Sequence, residues 1–138
     1  MDPEKDKLDN LVERSNQKLI EITTVFPFQI FPTLIRVDTT KIIVVHKIFF
    51  SSEYEVAVLI KDIKAIRVTR GVWFATILID TAVGVNIIEP TNFLLYNEAM
   101  RVRNIVTGLI ACDREGIDLS QINTIELTAK VEEIGRAR

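Results

Sequence analysis

Few side chains in this 138-residue sequence offer chemistry beyond charge and apolar contact. The single histidine, His46, lies among aliphatics in Ile42-Ile43-Val44-Val45-His46-Lys47-Ile48. General acid–base work needs a partner within hydrogen-bond reach. No cysteine, serine or carboxylate stands beside His46 at a motif spacing, so it reads as a satisfied structural histidine. The single cysteine, Cys112, allows no intramolecular disulfide and no cysteine-built zinc site. Near a helix end its thiol would be reactive if the local field lowered its pKa; on a packed helix it reads as a small buried apolar group. Glu53 and Glu55 fall on one strand face, where two carboxylates can pair. Charged positions alternating on a solvated face give the same pattern. Glycine-rich phosphate loops, His-Glu-x-x-His and calcium-loop patterns are absent from the sequence. The expectation is a chain that is not an enzyme and uses no metal and no cofactor.

Two groups of residues suit binding instead. Lys61, Lys64, Arg67 and Arg70 form a basic series, with Lys64 and Arg70 on one strand face and Arg67 on the other. Trp73 and Phe74 follow after Gly71-Val72. Cations next to aromatics suit a bilayer interface, so Lys61, Lys64, Arg67, Arg70 and Trp73 are a candidate lipid-binding set. The same cations also serve to blunt a sheet edge, and Trp73 also fits a core. The second group is Val25-Phe26-Pro27-Phe28-Gln29-Ile30-Phe31-Pro32. Two prolines five apart forbid a helix and disfavour a central strand. The segment either lies against the core, closing one end of a barrel, or forms an exposed docking strip. Leu8, Leu11, Phe26, Phe28 and Phe31 are the candidate partner-binding residues.

Periodicity gives the elements that must position these groups. Residues 4–22 carry Leu8, Leu11, Val12, Leu19 and Ile22 at helical spacing, with Asp6, Asp9, Glu13, Lys18 and Glu21 elsewhere, which predicts an amphipathic helix. Such a helix docks on its own domain, on a partner or on a membrane surface. From Thr33 the period falls to two. Strands are expected over 33–37, 41–50, 54–60, 63–69, 72–79 and 91–96, separated by short turns such as Asp38-Thr39-Thr40 and Lys61-Asp62. Residues 81–90 are ambiguous, with Gly84 marking a turn or bulge and Pro90 an edge. The helical period then returns. Asn97 is the expected N-cap of a helix over 97–112, with Val102, Ile105, Val106 and Leu109 as its apolar stripe. Gly116 ends it. Asn123 and Glu126 have capping-box spacing, and predict a short helix from Thr124 to Ile134 stopped by Gly135. The fold class is mainly β with helices, α+β: an antiparallel meander of about six or seven strands that curls into a barrel or two packed sheets.

Strands over 33–96 followed by one amphipathic helix resemble the order of a pleckstrin-homology (PH) superfold domain. Phe26-Pro27-Phe28 with Phe31-Pro32, Val37-Asp38, His46-Lys47-Ile48-Phe49-Phe50, Asn97-Glu98-Ala99, Ile105-Val106-Thr107-Gly108-Leu109-Ile110 and Gly116-Ile117-Asp118-Leu119 resemble small bacterial PH-like proteins. The resemblance covers about residues 25–120. It implies an antiparallel barrel capped by the C-terminal helix, with 1–24 as an N-terminal helix, 25–116 as the PH-like domain and 117–138 as a tail with a short helix. It also makes assembly into homo-oligomers an expectation. The basic loop by which eukaryotic PH domains read inositides has no counterpart: Asp38-Thr39-Thr40 is short, and only Arg36 and Lys41 flank it.

Composition sets the remaining bounds. A chain with 48% hydrophobic and 26% charged residues can build a packed core. A net charge of −2 supplies no field toward nucleic acid. Neither a signal peptide nor an apolar run of membrane-spanning length is visible in the sequence, so the cytoplasm is the expected location. The function expected is a non-catalytic interaction module that binds a protein partner or itself. The alternative is a peripheral binder of anionic lipid at the inner face of a membrane.

Overall fold

Alternating apolar residues build seven strands among the described residues, and two later apolar stripes build the helices that cover them. The computed structural model describes residues 2–15, 18–49, 52–82, 88–119 and 122–138, with residues 10–15 described as backbone only. The order is α1 (Pro3–Ser15), β1 (Lys18–Thr23), β2 (Thr33–Asp38), β3 (Lys41–Phe49), β4 (Ser52–Leu59), β5 (Ile63–Arg70), β6 (Ala75–Thr81), β7 (Thr91–Leu94), α2 (Tyr96–Arg114) and α3 (Thr124–Ala137). A 3-10 turn over Ile60–Asp62 joins β4 to β5. The chain is thus α+β, with antiparallel sheets of order β1-β2-β3-β4 and β5-β6-β7. The ladders do not close the strands into a barrel. At one corner a backbone bond, Val25 N to Phe93 O at 2.8 Å, ties the segment after β1 to β7 of the other sheet.

The helix expected over 4–22 stops at Ser15, and Lys18–Thr23 is a strand paired antiparallel with β2. Lys-Leu-Ile-Glu-Ile-Thr also alternates with period two. The open edge of β2 supplies backbone partners that decide in favour of strand. Leu19, Ile20 and Ile22 are buried in the common core rather than on a helix face. Residues 3–9 of α1 are exposed throughout, so this part of the helix does not dock on the domain.

Inward residues of both sheets meet α2. Ile35 and Val37 of β2, Ile42 and Val44 of β3, and Ala75, Ile77 and Ile79 of β6 pack with Ala99, Val102, Ile105, Val106 and Leu109 of α2. The Asp38 carboxylate builds the expected β2–β3 turn by accepting from Thr40 N, Thr40 Oγ1 and Lys41 N at 2.8–3.0 Å.

α2 begins one residue before the expected cap. Leu95 occupies the N-cap position without a side-chain bond, and Asn97 lies inside the first turn. Tyr96 is drawn into the helix, where the Arg70 guanidinium sits 4.4 Å from its ring centroid. The C-terminus closes as a Schellman motif, Gly116 N to Asp113 O and Ile117 N to Cys112 O, with Gly116 at φ +67° as that motif requires.

Asn123 caps α3 as expected, its Oδ1 accepting from Ile125 N at 2.9 Å. Gly135 does not stop the helix, which continues to Ala137. Instead it lies where α3 crosses α2. A Cβ at Gly135 would overlap Asn104 O, and one at Gly108 would overlap Val131 O. The two glycines let the helix backbones approach within a distance no side chain permits.

Candidate functional site

The apolar residues that stay outside the core gather at one end of the sheets. The base of this end is set by Thr24 and Thr33. Thr24 N donates to Thr33 O and Thr33 N donates to Thr24 Oγ1, both at 3.0 Å. Gln29 Nε2 donates to Thr33 Oγ1 at 3.2 Å, and Gln29 N donates to Val25 O at 3.2 Å. These bonds hold the 25–32 segment in one shape from within. Phe26 is 74% and Phe28 62% exposed, while Ile30 and Phe31 are exposed as well. The segment is therefore an exposed strip rather than a plug against the core.

The β5–β6 hairpin completes the surface. Strand β6 starts at Ala75, three residues later than the periodicity suggests, because Gly71 N bonds Phe74 O at 2.8 Å and turns residues 71–74 into the loop. Val72 and Trp73 stand at the tip, 91% and 84% exposed. Phe74 lies behind them, 4.9 Å from the Phe28 ring and 5.8 Å from the Phe93 ring. Phe93 reaches this position with φ 61°, a left-handed conformation that bulky residues rarely adopt. On the other side Phe31 lies 6.2 Å from Phe49. The half-buried Phe74 ring thus joins Phe28 and Phe93 beneath an exposed layer of Phe26, Phe28, Val72 and Trp73. Sequence patterning found the phenylalanine strip. It named Trp73 and Phe74 only beside the basic series and missed Val72 and Phe93, because only the hairpin and the β7 backbone bring these residues to the end that carries the strip.

The remaining candidates lie elsewhere. Leu8 is exposed on α1, and the Leu11 side chain lies outside the described residues, as do Phe50 and residues 83–87. The basic series does not form one surface with Trp73. Lys61 lies beside an open cleft of about 410 Å³ at the far end of β5, with Leu59, Leu109 and Asp113. β5, from Ile63 to Arg70, covers roughly 23 Å at about 3.3 Å per residue, and Lys61 lies beyond its start. Arg67 Nε donates to Asp80 Oδ2 at 2.9 Å and Arg70 covers Tyr96, so both are engaged within the chain. Lys64 lies on the α2 side of β5.

His46 Nδ1 is 3.3 Å from Thr33 Oγ1, and its ring stacks on Tyr54 at 4.6 Å. Glu55 lies opposite Val45 and Glu53 opposite Lys47 in the β3–β4 ladder. Cys112 is buried, and desolvation raises its thiol pKa above the ordinary 9.0. Among the described residues no group of three or more His, Cys, Asp or Glu side chains is placed to hold a metal, and no helix is long and apolar enough to cross a membrane. Comparisons with protein-family models, with curated proteins and with solved structures gave no match.

Proposed function

We propose that this chain is a non-catalytic interaction module with a PH-like layout, docking a protein surface, a second copy of itself included, through its aromatic end. The layout is supported by the sequence of four strands, three strands and one covering helix. The function rests on one observation: Phe26, Phe28, Val72 and Trp73 are exposed together at one end of the molecule. Large aromatics dominate the energetics of protein contacts, and contiguous exposed apolar surface marks contact sites. The Thr24–Thr33 bonds and the supporting rings fix the surface in advance, which lowers the ordering cost of binding.

Sedimentation velocity over a rising concentration series, comparing wild type with the Phe28→Ser/Trp73→Ser variant, tests the self-association arm. Concentration-dependent mass in the wild type and a constant monomer in the variant identify a second copy as the partner. Equal association in both removes the aromatic end from self-assembly.

Trp73 at a hairpin tip favours a second reading, membrane-surface binding, since tryptophan prefers the bilayer interface. This reading expects the Trp73 emission to shift to shorter wavelength with phosphatidylglycerol vesicles. An unshifted spectrum removes it.

A further inference from the structure

We propose that the cleft between β5, α2 and the last turn of α3 binds a phosphate-class anion. Lys64, Arg103, Arg114 and Arg138 line this cleft of about 190 Å³ with the Thr107 hydroxyl, over a floor that includes Ile66 and Ile110. The lining holds four cations and no carboxylate side chain. Among the described residues the ion pairs Lys18–Glu21, Arg67–Asp80, Arg101–Glu132 and Arg136–Glu132 all lie outside it. A chain of net charge −2 has thus gathered four cationic side chains at one place, none of them in an ion pair with a described side chain. Their mutual repulsion is relieved by a bound anion.

The convergence comes from three elements. Arg103, Thr107 and Arg114 follow one another at i, i+4 and i+11, one face of α2. Lys64 has no partner residue in the β5–β6 register, which shifts between Ile63 and Ala65, so it is the extra residue of a bulge. Arg103 Nη1 donates to Asn104 Oδ1 at 2.9 Å and to Gly135 O at 3.1 Å, which fixes one arm of its fork.

Positive charge at a helix C-terminus accounts for Arg114 and Arg138 taken singly. It does not account for Lys64 on the strand or Arg103 in mid-helix meeting them. Guanidinium groups, an ammonium and a hydroxyl around a partly apolar floor are donors suited to phosphate oxygens. The site is separate from the aromatic end, since Lys64 lies near the opposite end of β5 from Trp73.

The test is a ¹H–¹⁵N NMR titration of the full chain with inorganic phosphate and with pyrophosphate, against chloride at equal ionic strength. Vesicles of phosphatidylcholine, with and without phosphatidylglycerol, form a parallel arm. Saturable shifts at the Lys64, Thr107 and Arg114 amides with phosphate or pyrophosphate identify a free phosphate. Loss of those signals with phosphatidylglycerol vesicles alone identifies a lipid headgroup. In either case Lys64→Glu/Arg114→Glu weakens binding by about tenfold or more, through loss of two charge-assisted contacts. Lys64→Gln weakens it less, and Lys130→Glu and Phe28→Ser/Trp73→Ser leave it intact. Both residues of the double variant are exposed, and an unchanged melting curve verifies its fold. The proposal is overturned if neither phosphates nor vesicles perturb these amides, or if the double variant binds as the wild type does.

Discussion

Single residues show where packing has no slack. Gly135 and Gly108 let α2 and α3 touch through their backbones, so one added methyl meets a carbonyl rather than a flexible side chain. Gly135→Ala is expected to cost about 3 kcal/mol, the upper range for overpacking, read as a lower urea midpoint at unchanged slope. A midpoint equal to wild type would mean that the helices separate freely.

Cys112 gives a pH signature. Its folded-state pKa is raised by burial, so the unfolded thiol ionises first as the solution becomes alkaline. The thiol therefore takes no stability away below the ordinary value of 9.0, and stability falls as pH rises through the folded value. Urea titrations at neutral and alkaline pH should show a smaller alkaline loss for Cys112→Ala than for wild type. An identical loss would place the thiol in solvent. The sequence pointed to the inert form of this residue. It could not show that Trp73 lies outside, because burial of a tryptophan depends on where the hairpin turns and not on its neighbours in the chain.

Among the elements, the helices and strands of 33–137 were largely legible, since period two and period 3.6 are properties of local order. The boundary between α1 and β1 was not. Leu19 and Ile22 fit the helical stripe of Leu8, Leu11 and Val12, and the free edge of β2, distant in sequence, turns them into strand residues. The two segments should consequently behave differently on truncation. Deleting residues 2–15 removes a helix that is exposed over 3–9 and too short for stability in isolation, and the melting temperature should stay within a few degrees. Deleting 2–24 also removes buried Leu19, Ile20 and Ile22 and should unfold the chain, at about 1.5–3 kcal/mol for each fully buried aliphatic. Circular dichroism melting of both truncations checks this. Equal loss in the two would mean that α1 carries the stability.

At the scale of the whole molecule, the two proposed binding regions are each assembled from residues distant in sequence. The aromatic end takes residues from the β1–β2 segment, the β5–β6 hairpin and β7. The basic cleft takes them from β5, α2 and Arg138 at the C-cap of α3. Phe26-Pro27-Phe28 was recognisable as a candidate docking strip because prolines keep it out of regular structure. Its union with Val72 and Trp73 required the fold. The basic series along β5 was legible as residues, but not its neighbours: Arg67 is paired with Asp80, and Lys64 lies beside cations of α2.

The central claim, that the aromatic end is the contact surface, is tested most directly by site-specific photo-crosslinking. A photoreactive residue replaces Val72 at the exposed tip or, as control, Lys130 on the exposed face of α3, and the full chain is irradiated inside its own cells. The account predicts a discrete protein adduct from position 72, either a dimer of the chain or one other protein, and little from position 130. Adducts no more abundant at 72 than at 130 would contradict it.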